Sequence, residues 1–442
     1  MIKLFKKENR YFLIIFLIGF IIRIVLGLMS SPRTFFQHDV LPRYGHYDYA
    51  VYIFKYWSLS FANYYEFAHP PLNAIMQAVA MKIGSFFQNV GDDYMALYEN
   101  AKYLNIFYSI ATLYVVYKIA NVFDIKNSIK RIIFTIITFY PGILVLATQY
   151  DNDPIAFLFF FLSIYYAILW SKSYKLKDIV KLAISIGLAM LSKLSMAVLA
   201  FIIGPIMILV LIRSIINSHK SSNILVDRET LNIIRQLFIF AIIVFPLGLS
   251  YSIRNMILFS QPLGEIPDMA AGSTLDLARY QYTIVDRFLS FPLSGMTTKR
   301  YGIFKNVLEY NVWMGLYKTA TFDDFNYIKI KHTFVPGVIL LILNGSFFLL
   351  SIISFFYILI DTIKTTCNAI SNKCINQTIK NDDFNIKNLS IVLIVISLVF
   401  YIIFNLRYAY TCSSNYRYIL YITLGQSIQV AYFLTSILVK NK

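Results

Sequence analysis

Runs of apolar residues long enough to cross a membrane recur from one end of this chain to the other and leave few folds open. A helix of about 20 apolar residues matches the ~30 Å hydrocarbon core of a bilayer. Such runs lie at 11–29, 101–120, 132–148, 152–170, 236–258, 335–361, 389–408 and 418–439. A longer run, 182–212, is interrupted around Lys193, which indicates two short spans joined by a tight turn. The sequence therefore predicts an all-α, polytopic transmembrane helical bundle of about 10–11 membrane helices.

The composition excludes most other classes. Hydrophobic residues make up 58% of the 442 residues and charged residues 14%, against roughly 45–50% and about 25% in average soluble domains. Three cysteines, split between a loop at 367–374 and Cys412, predict free thiols and no disulfide framework. The spacings of nucleotide-binding loops and zinc sites are missing from the sequence, which argues against an ATP-driven transporter.

The net charge of +17 assigns the two sides of the membrane. Basic residues concentrate in alternate loops, at 3–10, 126–131, 172–181, 213–235 and 364–387, and at the C-terminus. By the positive-inside rule these loops and both termini are cytoplasmic, so the charge requires no nucleic-acid partner. Residues 1–10 lead into a retained first span, since no cleavage pattern follows. The expected location is the cell membrane, or the ER membrane if the source is eukaryotic.

The remaining loops then lie on the outer side, at 30–69, 149–153, 192–195, 259–334 and 409–416. To keep this alternation, we expect 70–90 to form a helix that starts at the outer surface without completing a crossing. We expect a transmembrane catalytic module at 1–258, including the amphipathic first outer loop 30–69. A long loop at 259–334 would cover the site, and C-terminal transmembrane helices would occupy 335–442.

Ionisable residues gather on this outer side. The first outer loop carries His38, Asp39, His46, Asp48, Glu66 and His69, with Pro70-Pro71 starting a helix directly afterwards. A Tyr-rich interfacial belt with solvated charges is the structural alternative. Asp151 and Asp153 form a second acidic motif between two spans, and a plain Asp-Pro helix start is its alternative.

Cationic residues occur on the same side. Lys193 lies at the turn between two spans, where snorkelling is the structural alternative. Arg407 and Arg417 flank the last outer turn; an arginine there suits a phosphate group, and contact with ordinary lipid phosphate is the common alternative.

Taken in order, four of these motifs resemble the GT-C superfamily of membrane glycosyltransferases. The similar branch holds the protein O-mannosyltransferases and the lipid A aminoarabinose transferase. The motifs are His38-Asp39 with Gly45-His46-Tyr47-Asp48-Tyr49, His69-Pro70-Pro71-Leu72, Asp151-Asn152-Asp153-Pro154, and Gly187 to Lys193. They cover residues 1–200, and the segment Cys412–Tyr418 is more loosely similar to an Arg-Tyr motif of some bacterial members.

The resemblance implies a GT-C fold and transfer of a sugar from a polyprenyl-phosphate donor to a hydroxyl acceptor at the outer face. An outer-loop Asp would be the general base, either Asp39 or Asp48. The implied phosphate-binding residues are His69, Lys193, Arg407 and Arg417. The implied acceptor- or metal-supporting residues are Asp151, Asp153, Glu66, His38 and His46. No cofactor is required by the residues, and a divalent cation stays open.

Two departures from that family pattern affect single positions. Ala68 stands where the aminoarabinose branch has an acid, so Glu66 is the candidate for that role. His69 replaces a lysine, which makes the charge at this position depend on pH. A transporter or flippase of a lipid-linked sugar, and a non-catalytic membrane subunit, are the alternative functions; the former would favour ionisable groups near the midplane.

Overall fold

The computed structural model describes residues 9–30, 46–61, 66–88, 95–222, 227–264, 282–291, 310–323, 334–372, 374, 377–378 and 381–440. His38 and Asp39 lie outside these residues. The described chain is all-α, as the apolar runs predict. Its helices are α1 (Arg10–Met29), α2 (His46–Tyr56), α3 (Leu72–Ser85), α4 (Met95–Val122), α5 (Asn127–Phe139), α6 (Pro141–Leu146), α7 (Asp153–Ser173), α8 (Leu176–Ser192), α9 (Leu199–Ser222), α10 (Arg228–Phe259), α11 (Ile284–Phe288), α12 (Val312–Phe322), α13 (Phe334–Ser371), α14 (Asp382–Arg407) and α15 (Ile422–Lys440).

Among the described residues, seven helices are long and apolar enough to cross a membrane: α1, α4, α7, α9, α10, α13 and α14. A shorter apolar helix follows at Ile422–Leu438. Many of their large apolar side chains face outward, as expected for helices in lipid. The protein is a multi-pass membrane protein.

The chain divides into two compact units. The first comprises Met1–Val122 and Ala147–Pro267, and the second Phe123–Leu146 and Asp268–Lys442. The three cysteines are free thiols, as their distribution predicts.

Helices α1 and α4 of the first unit are joined by two buried cations. The Arg23 guanidinium donates through Nε to Ser109 Oγ at 2.8 Å. The Lys102 ammonium donates to two carbonyls at the end of α1, Gly27 O at 2.8 Å and Ser30 O at 2.9 Å. A cation at the C-terminal end of a helix is favoured by the helix dipole, which accounts for a lysine buried there.

The interruption predicted around Lys193 is present. Helix α8 ends at Ser192, a 3₁₀ turn follows at Leu194–Val198, and α9 starts at Leu199. Lys193 between them is extended, with φ −153° and ψ 121°. The break places the Lys193 side chain at the end of α8.

Helices α8 and α10 pack closely at two glycines, one on each helix, and each glycine contacts a large side chain of the other helix. A Cβ on Gly187 of α8 would lie 2.7–2.9 Å from the Leu247 side chain of α10. A Cβ on Gly248 of α10 would lie 2.9 Å from the Met190 sulfur of α8. Small residues allow membrane helices to approach closely where lipid supplies no hydrophobic driving force. The glycine of the Gly187–Lys193 motif is therefore explained by packing.

Replacing Gly187 with Ala is expected to lower the free energy of unfolding by about 1–3 kcal/mol, since the added methyl group must force the two helices apart. Thermal unfolding in detergent measures the change. Gly204→Ala is the matched control, because nothing lies within 4 Å of its Cβ position. Equal melting temperatures for the two variants would contradict this account of the packing.

A folded layer lies at one end of the first unit. We call it the cap; it consists of α2, the 3₁₀ turn Glu66–Ala68, α3 and the first turns of α4. It has a hydrophobic core of its own, made of Tyr47, Tyr49, Ala50, Ile53, Phe67, Ala74, Ala78, Met81, Leu97, Tyr98, Ala101 and Tyr150. Tyrosines from three segments meet edge to face or stacked in it, as in the Tyr98–Tyr150 pair at 4.9 Å. The described parts of the predicted first outer loop, 46–61 and 66–69, thus belong to a packed structure.

Helix α3 stays within the cap. It has 14 residues, about 21 Å at 1.5 Å per residue. Its first turn contacts the chain at Asp151 through Asn73, and its last turn packs against Asn100 at Gly84. Asn105, one and a half turns after Asn100 on α4, contacts Asp151 too. The length of α3 is shorter than the ~30 Å hydrocarbon core of a bilayer. That 70–90 does not complete a crossing stays a prediction.

The second unit is built around α15. This helix packs against α5, α13 and α14, and its residues from Ile422 to Tyr432 are buried. The turn that precedes it is fixed by Tyr401 of α14, whose hydroxyl donates to Ser414 O at 2.8 Å and to Val312 O at 3.2 Å. Lys387 and Asp361 form a half-exposed ion pair at 2.8 Å between α14 and α13.

Candidate functional site

The segment 149–153 brings two carboxylates into the interior of the first unit. Asp151 is 2% exposed and Asp153 0%. Two buried asparagines hold the segment by its backbone. Asn105 donates to Gln149 O at 2.7 Å and to Asp151 O at 3.2 Å, and Asn73 donates to Asp151 O at 3.1 Å. These carbonyls lie outside the helices and need other donors. Side chains from α3 and α4 supply the donors and so fix the loop.

Asp153 forms an ion pair with Lys193. Lys193 Nζ lies 2.5 Å from Asp153 Oδ1, and the lysine is 8% exposed. The Asp-Pro alternative requires Asp153 to cap α7. The N-cap residue is Asn152, however, and Asp153 is the first residue inside the helix. Its carboxylate instead neutralises the cation at the end of α8. Two of the sequence candidates, 40 residues apart, therefore act on each other.

His46 at the start of α2 lies against Asp151. Its Nε2 is 3.7 Å from Asp151 Oδ1, which is an ion-pair distance when the imidazole is protonated and is longer than a hydrogen bond. The His46 ring also packs edge to face on the ring of His69, with the centroids 5.6 Å apart. His69 directly precedes Pro70-Pro71 and α3. Three outer-loop segments of the sequence thus converge on one place.

Asp48 lies one residue beyond the buried Tyr47 on α2 and is half-buried. The pKa of the Tyr150 hydroxyl is raised well above its ordinary value, first by burial and then by Tyr47, Tyr98 and the Asp48 carboxylate. The charge of Asp48 therefore acts on the segment that carries Asp151. Tyr150 remains protonated at neutral pH, since its pKa moves away from neutrality.

Four buried amides in or beside this segment have polar atoms without a hydrogen-bond partner among the described residues. They are the Oδ1 atoms of Asn73, Asn105 and Asn152, and both amide atoms of Gln77. A buried polar group without a partner costs roughly 1–3 kcal/mol. Amide groups that accept and donate suit the hydroxyl groups of a ligand. A metal centre fits less well, because Lys193 already neutralises Asp153. In addition, no group of three or more His, Cys, Asp or Glu in the described ranges could hold an ion.

The remaining candidates fall elsewhere. Arg407 at the end of α14 is exposed, and Arg417 in the turn Tyr416–Ile419 is half-buried. Both belong to the second unit and lie over the ring of the following tyrosine, at 5.6 and 5.5 Å. Glu66 belongs to the cap by its backbone, and its side chain lies outside the described part of the structure, as do His38 and Asp39.

Sequence reasoning missed several residues of the site. Asn73, Gln77 and Asn105 lie on helices where a polar residue is unremarkable, and only the buried position reveals them. The available signal was the spacing of Asn73 and Gln77, which lie four residues apart and therefore on one face of α3.

These observations define a multi-pass membrane protein whose first unit holds a buried carboxylate–lysine–histidine site at one end of its helices. No protein-family model and no curated protein matches the chain. Among solved structures, the chain is similar to a crystal structure of ArnT from Cupriavidus metallidurans in the apo state, at 13% identity and a TM-score of 0.39, covering 96% of this chain and 77% of that one. It is also similar to a crystal structure of ArnT from the same organism bound to undecaprenyl phosphate, at 13% identity and a TM-score of 0.37, covering 94% and 76%.

ArnT is the lipid A aminoarabinose transferase, which belongs to the branch that the sequence motifs resemble. At these TM-scores we rest nothing about this chain on the likeness.

Proposed function

We propose that this protein transfers a sugar from a polyprenyl-phosphate-linked donor to a hydroxyl acceptor at the membrane face that carries the cap. The observation that carries the proposal is the buried arrangement of Asp151, Asp153 and Lys193 with His46 and His69. Ionisable groups in a membrane protein are costly and mark a functional site by default. Here they gather at one end of the helices, which suits a reaction at the membrane surface better than passage through its middle.

The chemistry requires three things of the protein. The acceptor oxygen forms a bond to C1 of the sugar while the bond from C1 to the phosphate oxygen breaks. A carboxylate takes the acceptor proton, and we assign this role to Asp39, with Asp48 as the rival. The polyprenyl phosphate leaves with an additional negative charge, which cationic groups stabilise.

His69 and His46 are the phosphate-side candidates within the first unit. Two imidazoles in ring contact beside Asp151 can hold a proton near the leaving phosphate. Lys193 is a weaker candidate than its position in the sequence suggests, because Asp153 already balances its charge. Arg407 and Arg417 remain candidates for the carrier phosphate or for lipid headgroups.

The buried amides give the site a means of recognising a sugar. The amide oxygens of Asn73, Asn105 and Asn152 and both amide atoms of Gln77 lack partners among the described residues, and sugar hydroxyls that reached them would satisfy them. The long loop 259–334, predicted to cover the site, would contribute to the choice of acceptor. For the carrier we propose the polyprenyl phosphates, the donor class that the resemblance of the motifs to the GT-C superfamily implies.

The test uses the purified protein in liposomes that contain a polyprenyl-phosphate donor with a radiolabelled sugar, together with membrane extract of the source cells as the acceptor. We expect the label to leave the donor and free polyprenyl phosphate to accumulate. Liposomes without protein give the background rate. Movement of the intact labelled donor across the bilayer without loss of its sugar would replace the proposal by a flippase.

A further inference from the structure

The outer end of α10 holds the segment that precedes His69 by its backbone carbonyls. Tyr251 donates its hydroxyl to Phe67 O at 2.5 Å, and Asn255 donates through Nδ2 to Ala68 O at 2.9 Å. Arg254 donates through Nη2 to Ser60 O. Three side chains from the same two turns of one helix thus satisfy three carbonyls of a segment about 190 residues away in the sequence.

The same helix end also holds α2. The hydroxyls of Tyr49 and Tyr251 lie 2.9 Å apart, and the Tyr49 ring stacks on Phe67 with the centroids 4.7 Å apart. Burial and the neighbouring Tyr251 raise the pKa of Tyr49 far above its ordinary value, so this hydroxyl stays protonated. Tyr49 directly follows Asp48 in α2. One tyrosine of α10 therefore connects both segments that carry candidate residues.

His69 is consequently restrained from both sides. The carbonyl before it is fixed by Asn255, and the two prolines after it restrict the backbone. The backbone that carries the His69 ring into contact with the His46 ring is thereby fixed.

We propose that Asn255 and Tyr251 are positioning residues, which set His69 against His46 for the reaction. This inference rests on the proposed function for its catalytic meaning. Its structural part concerns the placement of His69 alone.

A fold-stabilising clamp is the competing explanation, and α10 itself offers the control. Gln236, near the other end of α10, is buried and makes two hydrogen bonds: it accepts from Trp170 Nε1 and donates to Tyr174 O, both at 2.8 Å. Asn255 makes two as well, donating to Ala68 O and accepting from Arg254 Nη1 at 3.1 Å. Asn255→Leu and Gln236→Met each remove two hydrogen bonds of one buried amide from the same helix.

We expect both variants to lose a similar amount of thermal stability. Asn255→Leu should also lower kcat at least tenfold with a smaller change in KM, whereas Gln236→Met should keep kcat within twofold of the wild type. Asn255→Gln, which keeps the amide donor, should recover part of the rate. Equal loss of kcat in Asn255→Leu and Gln236→Met would overturn the positioning role and leave a clamp.

A double-mutant cycle separates action through His69 from a general effect. In a His69→Ala background, Asn255→Leu should lower kcat by less than twofold, because the residue it positions is gone. A further tenfold loss in that background would show that Asn255 acts on something else, and would overturn the inference.

The rate at which diethyl pyrocarbonate modifies His69, followed by mass spectrometry, tests the placement without any transfer reaction. We expect Asn255→Leu and Tyr251→Phe to change this rate at least threefold and Gln236→Met to leave it unchanged. If the wild type transfers no sugar but this pattern holds, the proposed function fails and the positioning of His69 stands. If the wild type is active and His69 reacts at the same rate in all variants, the positioning fails and the proposed function stands.

Discussion

Replacing Asp39 with Asn is expected to lower the rate of sugar transfer by about 10²–10⁴-fold, the usual contribution of a general base. The amide has nearly the same shape but cannot take a proton from the acceptor hydroxyl. Folding and membrane insertion should be unaffected, since the substitution changes a single residue in the loop 30–69 that the sequence predicts on the outer side. The measurement is kcat for donor consumption in liposomes, beside a melting curve of the same preparation.

Asp48→Asn is the matched comparison, because either aspartate can be the base. Asp48 is half-buried and its charge acts on Tyr150, so we expect Asn there to lower the pKa of Tyr150 towards its ordinary value. A large rate loss in one variant and a small loss in the other identifies the base. Wild-type rates in both variants would rule out the mechanism.

Lys193→Met is expected to lower the free energy of unfolding by about 3–5 kcal/mol, because it leaves the charge of a fully buried Asp153 without its partner. The double variant Asp153→Asn/Lys193→Met should recover most of that loss, since an uncharged pair needs no compensation. The matched control is Lys387→Met. Its partner Asp361 is 42% exposed, so we expect a cost of about 0–1 kcal/mol.

The double variant also decides what Lys193 does. If the lysine serves to neutralise Asp153, the stabilised double variant should retain transfer activity. If Lys193 holds the carrier phosphate, the double variant should be stable but slow, with a raised KM for the donor. A double variant as unstable as Lys193→Met would show that the ion pair is not the source of the stability loss.

Local patterns were sufficient for the helices and for the break at Lys193. Length and apolarity define a membrane helix almost independently of its neighbours, and a Ser-Lys-Leu-Ser interruption within an apolar run has few structural outcomes. The partner of Lys193 could not be read in this way. Asp153 precedes it by 40 residues, and nothing in either motif encodes the pairing.

The buried amides and the α10 contacts show the same limit. Gln77 and Asn105 occupy helix positions that could equally face water, and their burial depends on how α3 and α4 cross. Likewise, Tyr251 and Asn255 lie in an apolar span whose sequence gives no indication that it contacts Phe67 and Ala68. Residues 123–146 join the unit of the C-terminal helices for a similar reason, since α5 packs along α15, far away in the sequence.

The Tyr49–Tyr251 contact has a consequence for biosynthesis. The two tyrosines are separated by 202 residues. At about 5–20 residues per second, a ribosome adds such a length in roughly 10–40 s. During that interval α2 has been synthesised, but Tyr251 of α10, which its Tyr49 contacts, has not. The cap therefore acquires these contacts only when α10 is made. A nascent chain stalled before Tyr251 would leave the Tyr49 hydroxyl and the carbonyls of Phe67 and Ala68 without their α10 partners.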